Sequence, residues 1–120
     1  MKDFRDLRVW EHAHQLTLKI YRATGQFPRE ELYVLVSQMR RCSISLGANI
    51  AEGCGKKGNN EFHRFLGIAS ASASELDYEL LLAKDLGYLS TQEYGSLYED
   101  LSKLRKMLNA LQQKVDRERD

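Results

Sequence analysis

Residues 90–115 read STQEYGSLYEDLSKLRKMLNALQQKV. Within them Tyr94, Leu97, Leu101, Leu104, Leu108, Leu111 and Val115 recur at alternating steps of three and four. That spacing keeps apolar side chains on one stripe of an α-helix and resembles a coiled-coil seam. Ser90 and Glu93 stand three apart at its head, the pattern of a capping box. A strand would need two-residue alternation, which is nowhere sustained in the chain. One long helix cannot bury its own stripe, so the segment demands partner helices.

Three further stripes supply them. Upstream, Phe62, Leu66, Ala69, Ala73, Leu76, Leu80 and Ala83 predict a helix from about Asn60 to Leu86. Asn59 or Asn60 is expected to cap it and Gly87 to close it. Leu32, Leu35, Met39, Cys42, Leu46 and Ile50 predict a helix from about Arg29 to Glu52, opened by Pro28 and ended by Gly53 as a left-handed cap. Val9, Ala13, Leu16, Ile20 and Ala23 predict the first helix, from about Leu7 to Ala23. The last residues, Val115 to Asp120, are expected to fray. Four amphipathic helices with short connections give an all-α fold, an antiparallel up-down four-helix bundle, with residues 1–120 as a single domain.

Eighteen basic and seventeen acidic residues leave a net charge of +1. A global positive field is excluded, so any nucleic-acid contact has to be a local patch. Cys42 and Cys54 lie twelve apart on one expected helix, roughly 18 Å, too far for a disulfide. Reduced thiols, the absence of a signal-like start and the lack of a long apolar run predict a cytoplasmic protein that does not enter a membrane. Cys42 falls on the apolar stripe and is expected in the core. Cys54 is expected to be exposed at the helix end.

Few motifs carry chemistry. Gly53-Cys54-Gly55-Lys56-Lys57-Gly58 matches GxGxxG literally, but a helix precedes it where a dinucleotide site needs a strand. Glu11-His12-Ala13-His14 resembles a ligand cluster, yet His12 and His14 point about 200° apart on a helix. Glu11 and His14 form a single E-x-x-H pair, whereas a di-iron bundle needs two such pairs and two more glutamates. No metal, cofactor or catalytic residue is expected, and the chain is read as a non-enzyme.

Two groups of polar residues remain. Gln38, Arg41, Asn49, Glu52 and Glu75 interrupt small and apolar surroundings and are candidates for a polar network, with Arg41 and Glu52 each able to pair across helices. Arg40, Arg41, Lys56, Lys57, Lys103, Arg105 and Lys106 are candidates for contacting nucleic-acid phosphates. Small residues recur at helical spacing in Ser43, Gly47 and Ala51, and again in Gly67, Ala71 and Ser74. Gly47 and Gly67 each cost about 1 kcal/mol against alanine in a helix, which close helix approach would offset. Ile44, Ala48, Phe65, Ile68 and Leu82 widen the apolar faces beyond one stripe. A helix apolar on more than one side is covered on more than one side, so a homo-oligomer is expected.

The stretches Phe4-Arg5-Asp6-Leu7-Arg8-Val9-Trp10, Gln38-Met39-Arg40-Arg41, Asn49-Ile50-Ala51-Glu52-Gly53 and Glu61-Phe62-His63-Arg64-Phe65-Leu66 resemble the four helix bundle protein family. It is also called the 23S rRNA intervening-sequence or S23 family. The resemblance implies a four-helix protomer in a ring-like homopentamer. It also implies a distant similarity to accessory proteins of diversity-generating retroelements, which bind nucleic acid. By that resemblance Arg40, Arg41, Asn49 and Glu52 match recurring polar positions, and Trp10, Phe62 and Phe65 recurring aromatic ones. The expected function is a non-enzymatic oligomeric module contacting RNA, DNA or a nucleic-acid-processing partner. The alternatives are a purely structural or protein-interaction bundle and a small-ligand or metal-binding bundle.

Overall fold

The structure, a computed structural model, describes residues 3–119. A 3-10 turn at Phe4–Asp6 leads into α1 (Arg8–Thr24). A second 3-10 turn (Arg29–Glu31) and a π turn (Leu32–Val36) run into α2 (Ser37–Cys54), followed by α3 (Asn59–Asp85) and α4 (Thr91–Glu118). No strand occurs among the described residues. The fold is an all-α four-helix bundle, as the stripes predict.

Cross-helix contacts fix the directions. Thr17 donates to the Ser43 carbonyl at 3.2 Å and Arg40 to the Thr24 hydroxyl at 3.0 Å, so α1 and α2 run antiparallel. Cys42 meets Ser72 while Gly53 meets Phe62 and Phe65, which sets α3 against α2 in the opposite sense. Asn59 donates to the Glu118 carbonyl, and the Lys84 ammonium lies over the Tyr94 ring, which does the same for α3 and α4. Lys19 pairs with Asp100 between α1 and α4. Each helix packs on two neighbours, with α2 and α4 at diagonal corners.

The stripes converge as expected. Leu16, Ile20, Met39, Leu46, Ile50, Leu66, Leu76, Leu80, Leu101, Leu104 and Leu108 are fully enclosed. Burying a leucine side chain contributes about 1.5–3 kcal/mol, so this layer is the main source of stability. Ser90 accepts from the Glu93 amide at 3.0 Å and Glu93 from the Ser90 amide at 2.9 Å, completing the capping box.

Several local expectations fail, each for a physical reason. The second helix does not begin as regular α-helix at Arg29. Its first turns are 3-10 and then π, and Leu32, expected in the core, is exposed. One residue gained in the π turn rotates what precedes it by about 100° relative to the stripe of α2. Glu31 steadies this segment by accepting from the Leu35 amide and from the Tyr88 hydroxyl.

Gly53 is not a left-handed cap. It lies inside α2, and the positive-φ glycines are Gly58 and Gly87. A Cβ at Gly53 would sit 2.8 Å from the Phe65 Cβ and 3.0 Å from Phe62 Cδ1, so a glycine lets α3 approach. Gly47 would meet only ordinary contacts at 3.9 Å, and Gly67 nothing within 4 Å, so neither marks a close approach inside the protomer. Gly58 rather than Asn59 or Asn60 caps α3, because the Asn59 side chain is turned to Glu118. Cys54 is buried, since α2 continues past Gly53 and carries the thiol inward. The C-terminal segment stays helical through Glu118, held by His63 against Asp116 and by Asn59, and Asp120 lies outside the described residues.

Candidate functional site

The most unusual chemistry lies in the seam between α2 and α3. Helix α2 presents Cys42, Ser45 and Asn49, three to four apart. Helix α3 presents Ser72, Glu75 and Glu79 at the same spacing. Antiparallel packing brings the two rows together. Cys42 Sγ donates to the Ser72 carbonyl at 3.0 Å. The Ser45 and Ser72 hydroxyls share a hydrogen bond of 2.9 Å, and Asn49 Nδ2 donates to the Ser45 carbonyl at 2.7 Å and hydroxyl at 3.1 Å.

Below this satisfied row sits a group that is not satisfied. Glu79 is 5% exposed, and its Oε1 has no hydrogen-bond partner. Cys42 Sγ and oxygens of Glu75 and Glu79 lie within 4.8 Å of one another. Burial and the adjacent Glu75 carboxylate push the Glu79 carboxyl up to about 7. Burial, then Glu79 and Glu75, push the Cys42 thiol up to about 12. In this partly dry seam the neighbouring acids disfavour charge on Glu79 and on Cys42. Among the described residues this is the group able to supply three metal ligands.

The expected polar network is realised only in part. Asn49 lines the seam and Glu75 stands at its exposed edge beside Cys42 and Glu79, while Gln38, Arg41 and Glu52 are exposed outside that group. Glu52 pairs with Lys56, in the loop just past its own helix, at 3.9 Å rather than across helices. Sequence reading missed Ser45, Ser72 and Glu79. Glu79 was detectable, because a glutamate three after Leu76 and four before Ala83 falls on the buried stripe.

The seven basic candidates do not gather. Arg40 is committed internally. Its guanidinium bonds Thr24 and the Tyr21 carbonyl and lies 4.5 Å from the Tyr21 ring centroid, closing the C-terminal end of α1. Arg105 donates to Asp77 at 2.8 Å and to Ser74 at 3.0 Å. Lys103 pairs with Glu99 at 3.6 Å. Arg41, Lys57 and Lys106 are exposed. Arg40 and Arg41 belong to α2, whereas Lys103, Arg105 and Lys106 belong to the diagonal helix α4, so the groups face different sides of one protomer.

Glu11, His12 and His14 are exposed on α1, where His14 stacks on Trp10 with ring centroids 5.0 Å apart and Glu11 accepts from Gln15. The outer side of the π turn, α2 and α3, by contrast, carries uncovered apolar side chains among charged ones. Ile44 is 46% exposed, Tyr78 63% and Tyr33 87%, and Ile68 and Val34 are also open. Ile44, Tyr33 and Arg41 line one surface recess with Tyr21. Gly67, Ala71 and Ser74 stand on the open side of α3, while Ser43 and Gly47 are buried in the protomer.

Residues 5–110 match the family model described as 23S rRNA-intervening sequence protein. The chain belongs to this family. A solved structure shares its fold: a protein of unknown function from the S23 ribosomal protein family of Bacteroides thetaiotaomicron, 24% identical, with a TM-score of 0.80. The match covers 88% of this intervening-sequence family chain and 95% of that one. No curated protein matches it. No helix among the family member's described residues is long and apolar enough to cross a membrane.

Proposed function

We propose that the protein is a non-enzymatic subunit of a homo-oligomer and acts through protein–protein contacts in the cytoplasm. The observation that carries this reading is the set of uncovered apolar side chains on the π turn, α2 and α3: Tyr33, Val34, Ile44, Ile68 and Tyr78. A monomer has no use for so many open large apolar side chains, and exposed apolar surface marks an interaction site. A second copy is the occupant that fits, because Arg41 and Glu75 on the same face give each copy a charge to offer the other. A ring of five is the assembly that the family resemblance favours.

Light scattering at micromolar concentration tests it. A mass of several chains is expected, with a fall toward the protomer in Ile44→Glu. A monomeric mass for the unaltered chain overturns the reading.

Nucleic-acid contact is the second reading. It draws on the exposed Lys57 in the α2–α3 loop and Lys106 on α4, whose charge a symmetric assembly would multiply. The distant resemblance to retroelement accessory proteins points the same way. The mixed charge around Lys56, Lys103 and Arg105 favours the first reading. Filter binding of RNA and DNA at low and high salt separates them. Salt-sensitive binding that weakens in a Lys57→Ala, Lys106→Ala double variant supports contact, and no binding at low salt removes it.

A further inference from the structure

We propose that Cys42, Glu75 and Glu79 form a binding site for a divalent transition-metal ion, with zinc the best match to the donors. Two helices build it: α2 supplies the thiol, and α3 supplies two carboxylates one turn apart.

The argument begins from Glu79. A carboxylate enclosed to 5% exposure with an unpartnered oxygen is costly, and a buried glutamate is ordinarily paired or bound to a cation. Among the described residues no basic side chain takes that role, because each ion pair that their lysines, arginines and histidines form uses another acid. The nearest titratable groups instead repeat the demand. Glu75 sits one turn before Glu79, where a second carboxylate destabilises a helix, and Cys42 faces both from α2. One divalent ion answers all three groups at once.

The distances fit with a small adjustment. Zinc bonds of about 2.0–2.3 Å set tetrahedral ligand atoms about 3.3–3.7 Å apart. The three donor atoms already lie within 4.8 Å. Glu75 is exposed, so its side chain is free to close the remaining gap, and the same opening admits the ion and a water as fourth ligand. Ser45, Ser72 and Asn49 bond one another beside the site and hold α2 and α3 in register there.

The donor set also selects the ion. A thiolate is a soft ligand, which disfavours magnesium and calcium and suits zinc or cobalt. On binding, the sulfur–proton bond of Cys42 is replaced by a sulfur–metal bond. That proton, with any held by the two carboxyls, passes to solvent. The Ser72 carbonyl then loses the thiol hydrogen bond it accepts now.

The test uses the full chain in its solution assembly, freed of metal with a chelator. Zinc is titrated by calorimetry, and cobalt(II) is followed by its absorption. One zinc per chain is expected, with protons released, and magnesium should give no signal. Cobalt should show a thiolate-to-metal charge-transfer band. Cys42→Ser should abolish that band, and Glu79→Gln should weaken zinc binding at least tenfold, while Cys54→Ser leaves both unchanged. Circular dichroism establishes that each variant is folded, and Glu79→Gln, which keeps the side chain's size, serves if Cys42→Ser does not fold. Absence of zinc binding to the unaltered chain overturns the proposal, as does a cobalt band that persists in folded Cys42→Ser or zinc affinity unchanged in Glu79→Gln.

Discussion

At Glu79 the carboxyl group keeps its proton well above the ordinary carboxyl range, because burial and Glu75 oppose its charge. Unfolding returns it to about 4.5, its ordinary value, from about 7. Between those values the folded chain holds a proton that the unfolded chain has lost. The resulting stabilisation is full below about pH 4.5 and is lost as pH rises through about 7. In metal-free protein the urea midpoint should therefore fall between pH 5 and pH 8, and Glu79→Gln should flatten that dependence. A midpoint that rises over this range in the unaltered chain contradicts the assignment. Two glycines give opposite expectations at the same scale. Gly53→Ala forces a Cβ onto Phe65 and should cost about 1–3 kcal/mol by overpacking. Gly67→Ala meets open space and should gain up to about 1 kcal/mol of helix propensity, read by denaturant unfolding. Both glycines were visible in the sequence, but their surroundings were not. The spacing of Ser43, Gly47 and Ala51 drew attention to Gly47, while the true close approach is at Gly53, which depends on where Phe62 and Phe65 arrive from another helix. The Cys42–Glu75–Glu79 group was hidden for the same reason. Cys42 lies more than thirty residues from Glu75 and Glu79, and only the register of α2 against α3 joins it to them.

Among the elements, α4 was the most legible and the start of α2 the least. Both ends of a capping box are local, so Ser90 and Glu93 declare where α4 begins without reference to the rest of the chain. Ser90→Ala should cost about 1 kcal/mol, measured by thermal or denaturant unfolding. The π turn at Leu32–Val36 has no such local signature. It depends on Glu31 reaching both the Leu35 amide and the Tyr88 hydroxyl, and Tyr88 lies fifty-seven positions away. Pro28 announced a helix start correctly but carried no information on the kind of helix that follows. Similarly, Asn59 was a sound cap by type, and it was diverted by a carbonyl at the far end of α4.

For the molecule as a whole, four periodic stripes were enough to specify the bundle, because each could be buried only against the others. Leu76 shows how strongly they depend on one another. It is wholly enclosed in the core shared by the four helices. Leu76→Ala should lower stability by about 2–5 kcal/mol, and α1 to α4 should still melt in one transition by far-UV and near-UV dichroism. Two separated transitions would show that the helices do not share one cooperative core. The open apolar side chains were only partly legible, since Ile44 and Ile68 fall off the main stripes in the sequence, whereas no spacing sets Tyr33 and Tyr78 apart. The protomer measures 47 × 23 × 20 Å, and its radius of gyration of 14.8 Å exceeds the value of about 13.6 Å for a compact chain of this length. All four helices lie along that long axis, so their amide N–H vectors do too. Only end-over-end tumbling reorients those vectors, whereas spinning about the axis also reorients amides in the turns at Gly58 and Gly87. Nitrogen-15 relaxation of a lone protomer would thus divide into a slow helical class and a faster turn class, and side-by-side association of such rods would bring the two together.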